Sequence, residues 1–327
     1  MKGFDSKYKD LPDYILKITH QIWEEKDVES INQFYAKGMP TRSPQGVIYG
    51  AEPVVEATYA TLKEFPDRQL LGEDVIWIGN DDEGYFSSHR IFTRATHANL
   101  GVYGEPTGKK LSYRVIADCA CRNNQVYDEW LVRDQGAIVR QLDLDPQKYA
   151  HKLIQDEGGI DKCAVPFNQD TPNEVPSNGI YTPPVISKEN IGIRYAEILK
   201  QIFSNETNAI EKNYDRAIQQ EQPGGFTGHG REEVTTFWNT LISAFPDSKF
   251  TIEHISYTEE KDQASKAAIR WSLVGPHSGK GNFGNPSNTP VYVMGISHAE
   301  FSPRGIKNEW VLFDETIIWK QILMKTG

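Results

Sequence analysis

The feature that most constrains the fold is an internal repeat. The tripeptide Phe65-Pro66-Asp67 recurs as Phe245-Pro246-Asp247, a shift of 245 minus 65, or 180 residues. The same shift holds without a gap for Gly50 and Gly230, Glu73 and Glu253, Arg90 and Arg270, His97 and His277, Glu129-Trp130 and Glu309-Trp310, and Asp134 and Asp314. This period is much longer than the unit of a solenoid, so the sequence predicts a duplicated domain. Residues related by this shift are called equivalent.

Two domains are therefore predicted, over residues 1–145 and 188–327, with a linker over residues 146–187. The linker contains Pro166, Pro172, Pro176, Pro183 and Pro184. Proline favours extended backbone, although residues 146–155 have a helix-compatible pattern. We expect the rest of the linker to run extended over the surface, and whether it covers the mouth of a pocket stays open.

Both copies have the same predicted order of elements. Apolar residues recur at helical spacing near the start of each copy, as at Leu11, Ile15 and Ile18. Further helices are predicted over residues 27–35, 51–64, 207–214 and 231–244, and strands over residues 69–78, 85–96, 110–122, 125–132, 249–257, 264–274, 290–301 and 306–313. Asn123-Asn124 and Arg304-Gly305 suit hairpin turns. Helices followed by strands predict an α+β domain with helices on one side of an antiparallel sheet.

Charge and composition exclude several classes of partner. The net charge of -10 leaves no broad basic surface for nucleic acid or for an anionic membrane. No apolar run is long enough to span a membrane, and the first residues lack the apolar stretch of a secretory signal, so we expect a soluble, cytoplasmic protein. The 3 cysteines cannot form a disulfide framework. Cys119 and Cys121 have no further ligands at zinc spacing nearby, so no metal site is predicted.

The first copy contains a set of short motifs: Gly50, Phe65-Pro66-Asp67, Thr96-His97, Gly104, Pro106-Thr107-Gly108-Lys109, Glu129-Trp130, Asp134 and Gln141-Leu142. Together these motifs resemble those of the SnoaL-like polyketide cyclases. The second copy keeps Gly230, Phe245-Pro246-Asp247, His277, Gly284, Pro286, Glu309-Trp310, Asp314 and Gln321, and departs at Pro286-Ser287-Asn288. The resemblance implies a nuclear-transport-factor-2-like fold: two tandem cone-shaped α+β barrel domains, each a curved antiparallel sheet packed on helices around an apolar cavity.

The resemblance also implies a chemistry. Characterised cyclases of this family close a ring by an intramolecular aldol reaction without metal or cofactor, using a carboxylate and a histidine that project into the cavity. By motif position these catalytic residues are Asp134 and Asp314, with His298 on the preceding strand of copy two. Copy one has Asp118 at the position equivalent to His298. One carboxylate can remove a proton beside a carbonyl and then protonate the new alkoxide, so the residue types fit the reaction.

Each candidate also has a simpler interpretation. Asp134 and Asp314 could be helix N-caps, and Asp118 could face solvent, pair with a cation, or share a proton with Asp134. His298 could be a half-buried histidine whose hydrogen bonds are satisfied. The substrate-binding candidates are His97, His277, Arg90, Arg270, Trp130 and Trp310. The two histidines could hold loops, the two arginines could pair with Glu129 and Glu309, and the two tryptophans could be core or interface aromatics.

The predicted function is a cofactor-independent general acid/base enzyme. It would catalyse aldol cyclisation, isomerisation or hydration of a small apolar carbonyl compound, as an isomerase or lyase. The alternative is a non-catalytic protein that binds a small molecule or acts as a scaffold. A third hypothesis is that one copy is catalytic and the other is structural. It is motivated by equivalent positions that differ between the copies: Asp118 is equivalent to His298, and Thr107-Gly108 is equivalent to Ser287-Asn288. The two copies are expected to pack as an intramolecular pseudo-dimer, and further homo-oligomerisation stays open.

Overall fold

The computed structural model describes residues 1–171, 189–206 and 208–327. The first domain contains α1 (Leu11–Thr19), which continues as a π-helical turn (His20–Glu24), a 3-10 turn (Val28–Ser30), α2 (Ile31–Phe34), β1 (Pro40–Ser43), β2 (Gly46–Tyr49), α3 (Ala51–Glu64), β3 (Gln69–Asn80), β4 (Gly84–Thr96), β5 (Lys110–Arg122), β6 (Gln125–Arg133), α4 (Gln135–Gln141) and α5 (Pro146–Asp156).

The second domain repeats this order. It contains α6 (Ile191–Phe203), α7 (Ala209–Asn213), β7 (Tyr214–Gln222), β8 (Phe226–His229), α8 (Gly230–Ala244), β9 (Lys249–Thr258), β10 (Lys266–Pro276), β11 (Pro290–Ser302), β12 (Gly305–Phe313) and α9 (Glu315–Thr326). All eight predicted strands form, each with bounds within two residues of the prediction. The duplicated order of elements therefore follows the repeat in the sequence.

Local sequence signals explain where several elements begin and end. Asp10 caps α1, because its carboxylate accepts a hydrogen bond from the Asp13 backbone N–H at 2.8 Å. The Phe-Pro-Asp turn ends α3, and its Asp67 accepts from the Thr96 N–H at 2.7 Å, which ties the turn to the end of β4. Asn123 and Asn124 both have positive φ, 51° and 64°, and so form the predicted hairpin turn.

The two sheets have the same topology, in the orders β2-β1-β6-β5-β4-β3 and β8-β7-β12-β11-β10-β9. The α+β fold with two tandem domains is confirmed. The sheets are mixed and not antiparallel throughout, because β1 pairs in parallel with β6 and β7 in parallel with β12. They are also open, with β2 and β3 at the edges of the first sheet. The short β1–β2 and β7–β8 hairpins were missed in the sequence because their strands lack an alternating apolar pattern.

The linker is helical where its sequence predicts a helix, since α5 covers Pro146–Asp156. Pro172, Pro176, Pro183 and Pro184 lie outside the described residues, so the extended course predicted there and the domain bounds stay predictions. Cys119, Cys121 and Cys163 are free and buried. Among the helices of the described ranges, none combines the length and apolar character needed to cross a membrane.

The two domains pack against each other through the outward faces of their sheets. A shared apolar cluster joins Ile116 and Val132 of the first domain to Met294, Ile296 and Leu312 of the second. The contact is reciprocal, as in a two-fold dimer. The Arg90 guanidinium lies 3.6 Å from the ring centroid of Trp310, and that of Arg270 lies 3.7 Å from the ring centroid of Trp130. The tandem domains therefore form an intramolecular pair.

The inward faces of the sheets pack on the helices, and here the two domains differ. In the second domain the buried apolar residues form one continuous cluster that includes Tyr195, Trp238, Trp271 and Phe301. In the first domain they form two separate clusters, one around Tyr14, Phe34 and Cys119 and another around Phe65, Ile91 and Tyr113. This difference directs attention to the interior of the first domain.

Candidate functional site

Most of the residues predicted to form the site lie in the contact between the domains. Asp118, His298, Arg90 and Arg270 are all buried there. Arg270 Nη1 donates to Asp118 Oδ2 at 3.1 Å, and Arg90 Nη1 donates to His298 Nδ1 at 3.0 Å. Ser88 Oγ lies 2.7 Å from His298 Nε2 and also bonds Asp118 Oδ1. The structure thus brings these residues together, but between the outer faces of the sheets.

The donors in this contact fix the tautomer of His298. A guanidinium can only donate, so Nδ1 must accept from Arg90 and the proton must sit on Nε2. Nε2 then donates to Ser88 Oγ, and the Ser88 hydroxyl donates to Asp118. Burial lowers the pKa of His298 well below its ordinary value, and the nearby Arg90 adds to this. Burial raises the pKa of Asp118, and the charge of Arg270 opposes that shift. The chain of hydrogen bonds joins the two domains.

The predicted ion pairs of Arg90 with Glu129 and of Arg270 with Glu309 are wrong. Arg90 Nε binds Glu73 Oε2 at 3.0 Å, and Arg270 binds Asp118. Successive side chains of a strand point to opposite faces, and Glu129 points inward while its neighbour Trp130 points to the contact between domains. Trp130 and Trp310 are interface aromatics that stack on the arginines of the other domain.

Asp134 and Asp314 are helix N-caps that also bind the opposite domain. Asp134 Oδ1 accepts from the Ala137 N–H at 3.0 Å and from the Gly224 N–H at 2.8 Å. Asp314 Oδ1 accepts from the Thr316 N–H at 2.9 Å, and its Oδ2 accepts from Gln45 Nε2 at 2.7 Å. Each cap therefore holds the tip of the hairpin from the other domain. For Asp134 these donors are the Gly224 and Gly225 backbone N–H groups between β7 and β8, and for Asp314 the donor is the Gln45 side chain between β1 and β2.

Asp118 and Asp134 do not share a site. The Asp134 backbone N–H bonds the carbonyl of Arg114, which is four residues along β5 from Asp118. That separation corresponds to roughly 13 Å. A cleft of about 210 Å³ lies between the domains beside Asp134, and its lining includes the charged Arg114 and Glu221. Arg114 Nη1 donates to Glu221 Oε2 at 2.9 Å across the cleft.

Burial raises the pKa of Asp134 to about 6 and that of Asp314 to about 7, against the hydrogen bonds that favour their ionised forms. Because the pKa of Asp314 is raised in the folded state, its protonation stabilises the fold. This contribution to the free energy of unfolding should be full below the pKa of the unfolded state, about 4, and should be lost as the pH rises toward about 7. Between those values the urea midpoint of the wild-type protein should fall relative to that of Asp314→Asn, which keeps the cap but does not titrate. The exposed Asp262→Asn is the control. Parallel curves for wild type and Asp314→Asn would contradict the prediction.

His97 and His277 hold equivalent loops. His97 Nδ1 lies 3.1 Å from Thr107 Oγ1, and His277 Nδ1 lies 3.1 Å from Ser287 Oγ. His97 Nε2 is also 3.2 Å from Glu64 Oε1. The hydroxyl bond is kept although the Pro-Thr-Gly motif of the first copy has become Pro-Ser-Asn in the second. These contacts fit the loop-holding interpretation of both histidines.

The interior of the first domain contains a row of polar side chains that crosses four strands. Ser87 on β4 is opposite Cys119 on β5, Cys119 is opposite Glu129 on β6, and Glu129 is opposite Thr41 on β1. All four are buried, and Ser87 Oγ has no hydrogen-bond partner. In the second domain the corresponding row is Ala267, Ala299, Glu309 and Gln220. A carboxylate is thus present inside each domain.

The two interior carboxylates have different surroundings. Glu309 accepts from the hydroxyls of Tyr195 and Tyr214 and from Gln220 Nε2, each at 2.7 Å. Glu129 accepts from Thr41 Oγ1 at 3.1 Å and from the Cys119 thiol at 3.9 Å, and the Tyr35 hydroxyl also favours its ionised form. Burial raises the pKa of Glu129 to about 7, and these three groups oppose the shift. Glu129 therefore changes protonation state near neutral pH.

Further polar side chains line the first domain along the same inward face. His89, Thr93 and Tyr113 are buried there. Arg133 is four residues after Glu129 on β6, so the two side chains point to the same face of the sheet. His89 Nε2 and Thr93 Oγ1 have no hydrogen-bond partner. The equivalent residues of the second domain are all apolar: Ile269, Leu273, Val293 and Phe313. Buried polar atoms without a hydrogen-bond partner are uncommon in folded proteins, so these two atoms distinguish the interior of the first domain from the apolar residues at the equivalent positions of the second.

Large side chains fill the corresponding space of the second domain. Its α8 carries Phe237, Trp238 and Leu241, where α3 of the first domain carries Ala57, Thr58 and Thr61. Trp238 and Trp271 are both fully buried, with ring centroids 6.3 Å apart. The second interior therefore has aromatic rings at two positions of α8 where α3 of the first domain has Ala57 and Thr58.

This interior set was not predicted from the sequence, where Glu129 was considered only as an ion-pair partner. A usable signal was present. At equivalent positions of the predicted strands, the first copy has His89, Thr93 and Arg133 where the second has large apolar residues. Close packing favours side chains of similar volume in duplicated cores, so such a one-sided change distinguishes the two interiors at the level of sequence.

Comparison with known proteins agrees with the fold. A model of the SnoaL-like polyketide cyclase family matches residues 14–142 and 194–322. Similar solved structures include AclR from Streptomyces galilaeus (22% identity, 40% of this chain and 95% of that chain covered, TM-score 0.35) and IdmH from Streptomyces antibioticus (18%, 41%, 98% and 0.35). A SnoaL-like polyketide cyclase from Agrobacterium tumefaciens is 16% identical over 41% of this chain and 98% of that chain, with a TM-score of 0.34. None of the curated proteins matches.

The family match covers helices and strands in both halves and extends over more than half of the chain. The tandem domains, the order of their elements and the sheet topology agree with it. The chain therefore belongs to the SnoaL-like polyketide cyclase family and carries two of its domains in tandem.

Proposed function

We propose that the first domain is a cofactor-free general acid/base enzyme for a small apolar carbonyl compound, and that the second domain is its structural partner. The observation that carries the proposal is the contrast between the two interiors. The first has a titratable carboxylate, Glu129, and buried polar atoms without protein partners, whereas the second is filled by aromatic side chains. Aldol closure, isomerisation and hydration all need the proton transfers that such a site supplies.

Glu129 is the proposed base. Its ionised form removes a proton from the carbon beside the carbonyl: the C–H bond breaks, a carboxyl O–H bond forms, and the electron pair moves to the carbonyl oxygen as an enolate. The neutral carboxyl then returns the proton to carbon or oxygen. A pKa of about 7 keeps both forms available at neutral pH, which suits a group that must act as base and as acid.

His89 is the proposed stabiliser of the developing negative charge. It lies on β4 opposite Ala117, one inward position along the strand from Ser87. Burial lowers the pKa of His89 to about 3, with a smaller effect from Arg90, so its imidazole is neutral at physiological pH. A neutral imidazole can donate its N–H to a carbonyl oxygen, and no charged ring has to be buried in the apolar surroundings. The Ser87 hydroxyl is a second donor on the same strand.

Proton abstraction can be tested without the natural substrate. Small cyclic ketones and β-keto esters are incubated with the protein in D₂O, and exchange of the protons beside the carbonyl is followed by NMR. We expect the protein to accelerate exchange for at least one ketone, with a rate that rises as pH passes through about 7 and Glu129 ionises. Exchange at the uncatalysed rate for the whole panel would contradict the proposal.

A non-catalytic binding role is the second candidate. It is favoured by the hydroxyls of Thr41 and Tyr35, which hold the Glu129 carboxylate in place and could keep it as a fixed ligand contact. The same assay separates the two functions. A ketone that binds, as seen by saturation-transfer NMR, but whose exchange rate does not change would favour binding without turnover.

A further inference from the structure

We propose that the first domain also binds a carboxylate group of its ligand, at a cluster formed by Arg68, Thr93, Tyr113 and Arg133. This arginine cluster lies on the inward side of the sheet, along the strands from Glu129. The inference deepens the proposed function and rests on it in placing the ligand inside the first domain. It adds the class of ligand: an apolar carbonyl compound that carries one carboxylate.

Strand pairing brings the cluster together. Tyr113 on β5 is opposite Thr93 on β4, and Arg133 on β6 is opposite Val115, the next inward residue of β5. Arg68 directly precedes β3, whose residue Leu70 is opposite Thr93. The Tyr113 hydroxyl and the Arg133 guanidinium both lie close enough to Arg68 to affect its pKa. All four side chains therefore face the same region.

The cluster has donors that the protein does not use. Arg68 is only 6% exposed, and its Nε is buried without a hydrogen-bond partner. Arg133 Nε and Thr93 Oγ1 are also buried and unpaired. A buried donor without an acceptor costs free energy, so these atoms are expected to be satisfied when a ligand supplies oxygen atoms.

Local charge selects the ligand. Two guanidinium groups are always ionised, and the carboxylate that acts on Arg68 is Glu24, which also accepts the Leu70 backbone N–H. These three groups together carry a net charge of plus one. A single carboxylate neutralises this excess, whereas a dianionic phosphate would exceed it. The planar guanidinium also matches the two oxygens of a carboxylate.

The second domain offers a natural comparison because it lacks every member of the cluster. The equivalent residues are Ser248, Leu273, Val293 and Phe313. Leu273, Val293 and Phe313 belong to its continuous apolar core. The charge in the first domain is therefore not a requirement of the fold, since the same topology forms without it.

The test measures binding by the full chain with isothermal titration calorimetry. The probes are butanoate, benzoate and 2-naphthoate, each compared with its neutral amide, and 2-naphthyl phosphate. We expect at least one carboxylate to bind about tenfold or more tightly than its amide, and 2-naphthyl phosphate to bind less tightly than 2-naphthoate. Arg68→Gln/Arg133→Gln should reduce carboxylate binding to the level of the amide.

Arg94→Gln is the matched control, because Arg94 is exposed on the opposite face of β4 and should leave the preference unchanged. If the double glutamine variant does not fold, Arg68→Lys and Arg133→Lys keep the charge and should each weaken carboxylate binding. Equal affinity for acid and amide, a preference that survives in the double variant, or absence of binding by every carboxylate would overturn the inference.

Failure of this inference can be separated from failure of the proposed function. Glu129→Gln removes the proposed base but not the cluster, so it should keep the preference for carboxylates. A carboxylate preference without any ketone exchange would reject the enzyme and retain the anion site. Ketone exchange without a carboxylate preference would retain the enzyme and reject the anion site.

Discussion

Replacing Glu129 with glutamine is expected to slow ketone proton exchange by about 10²- to 10⁴-fold, the usual contribution of a general acid/base group. The amide keeps the shape of the side chain but cannot take a proton from carbon. Fold should be retained, because Thr41 Oγ1 can still donate to the amide oxygen. The measurement is the initial exchange rate by NMR, at several pH values around neutrality.

The matched control is Glu309→Gln, the equivalent change in the second domain. It should leave the exchange rate unchanged, since its interior is filled by side chains. It should lower stability by about 1–3 kcal/mol, because an amide nitrogen cannot accept from the donors that surround the Glu309 carboxylate. Equal loss of exchange in both variants, or no loss in Glu129→Gln, would count against Glu129 as the base.

The largest loss of stability is expected at the contact between the domains. Arg270→Met removes the cation from Asp118, which is 2% exposed, and leaves a buried carboxylate without a counter-charge. Such a change usually costs about 3–5 kcal/mol. The loss is measured from urea unfolding followed by both tryptophan fluorescence and circular dichroism, because two domains need not unfold together.

Two further variants test whether the loss of stability comes from the unpaired buried charge of Asp118. Asp118→Asn in the Arg270→Met background removes the unpaired charge and should recover part of the lost stability. Lys200→Met breaks an ion pair with Glu197 at 2.6 Å in which both side chains are about half exposed, and should cost at most about 1 kcal/mol. If Arg270→Met were as mild as Lys200→Met, the buried pair would not stabilise the contact.

The contact also explains why Asp118 and His298 differ between the copies. A two-fold axis in a true homodimer would bring identical residues face to face at this position. After duplication the two halves can change independently, and here Ser88 bonds both His298 and Asp118. The second domain has Ala268 at the position equivalent to Ser88. Asp118 and His298, whose difference suggested that the two copies have different roles, therefore both lie in the contact between the domains.

Several parts of the fold could be predicted from local sequence. Helical spacing, strand alternation and the Phe-Pro-Asp turn gave elements with nearly correct bounds, because these signals act between near neighbours in the chain. The hairpins of β1–β2 and β7–β8 could not be found in this way. Their strands are short and polar, and β1 and β7 are fixed by parallel pairing with β6 and β12, which are distant in sequence.

The candidate site was harder to predict, because the strands that carry it are buried on both faces. On β5, Asp118 faces the other domain and Cys119 faces the helices, yet both are buried. Alternation separates the two faces of a strand but identifies the inner one only when the other is exposed to water. The sequence alone therefore could not decide whether Asp118 or Glu129 lies inside a domain.

The amino-acid sequence by itself determined the duplication, the order of elements and the unequal composition of the two copies, since these follow from residue identity and short-range periodicity. The tertiary structure alone decided which polar residues join the domains and which line an interior. That decision depends on how two sheets pack against each other, and such packing arises from contacts between residues far apart in the chain.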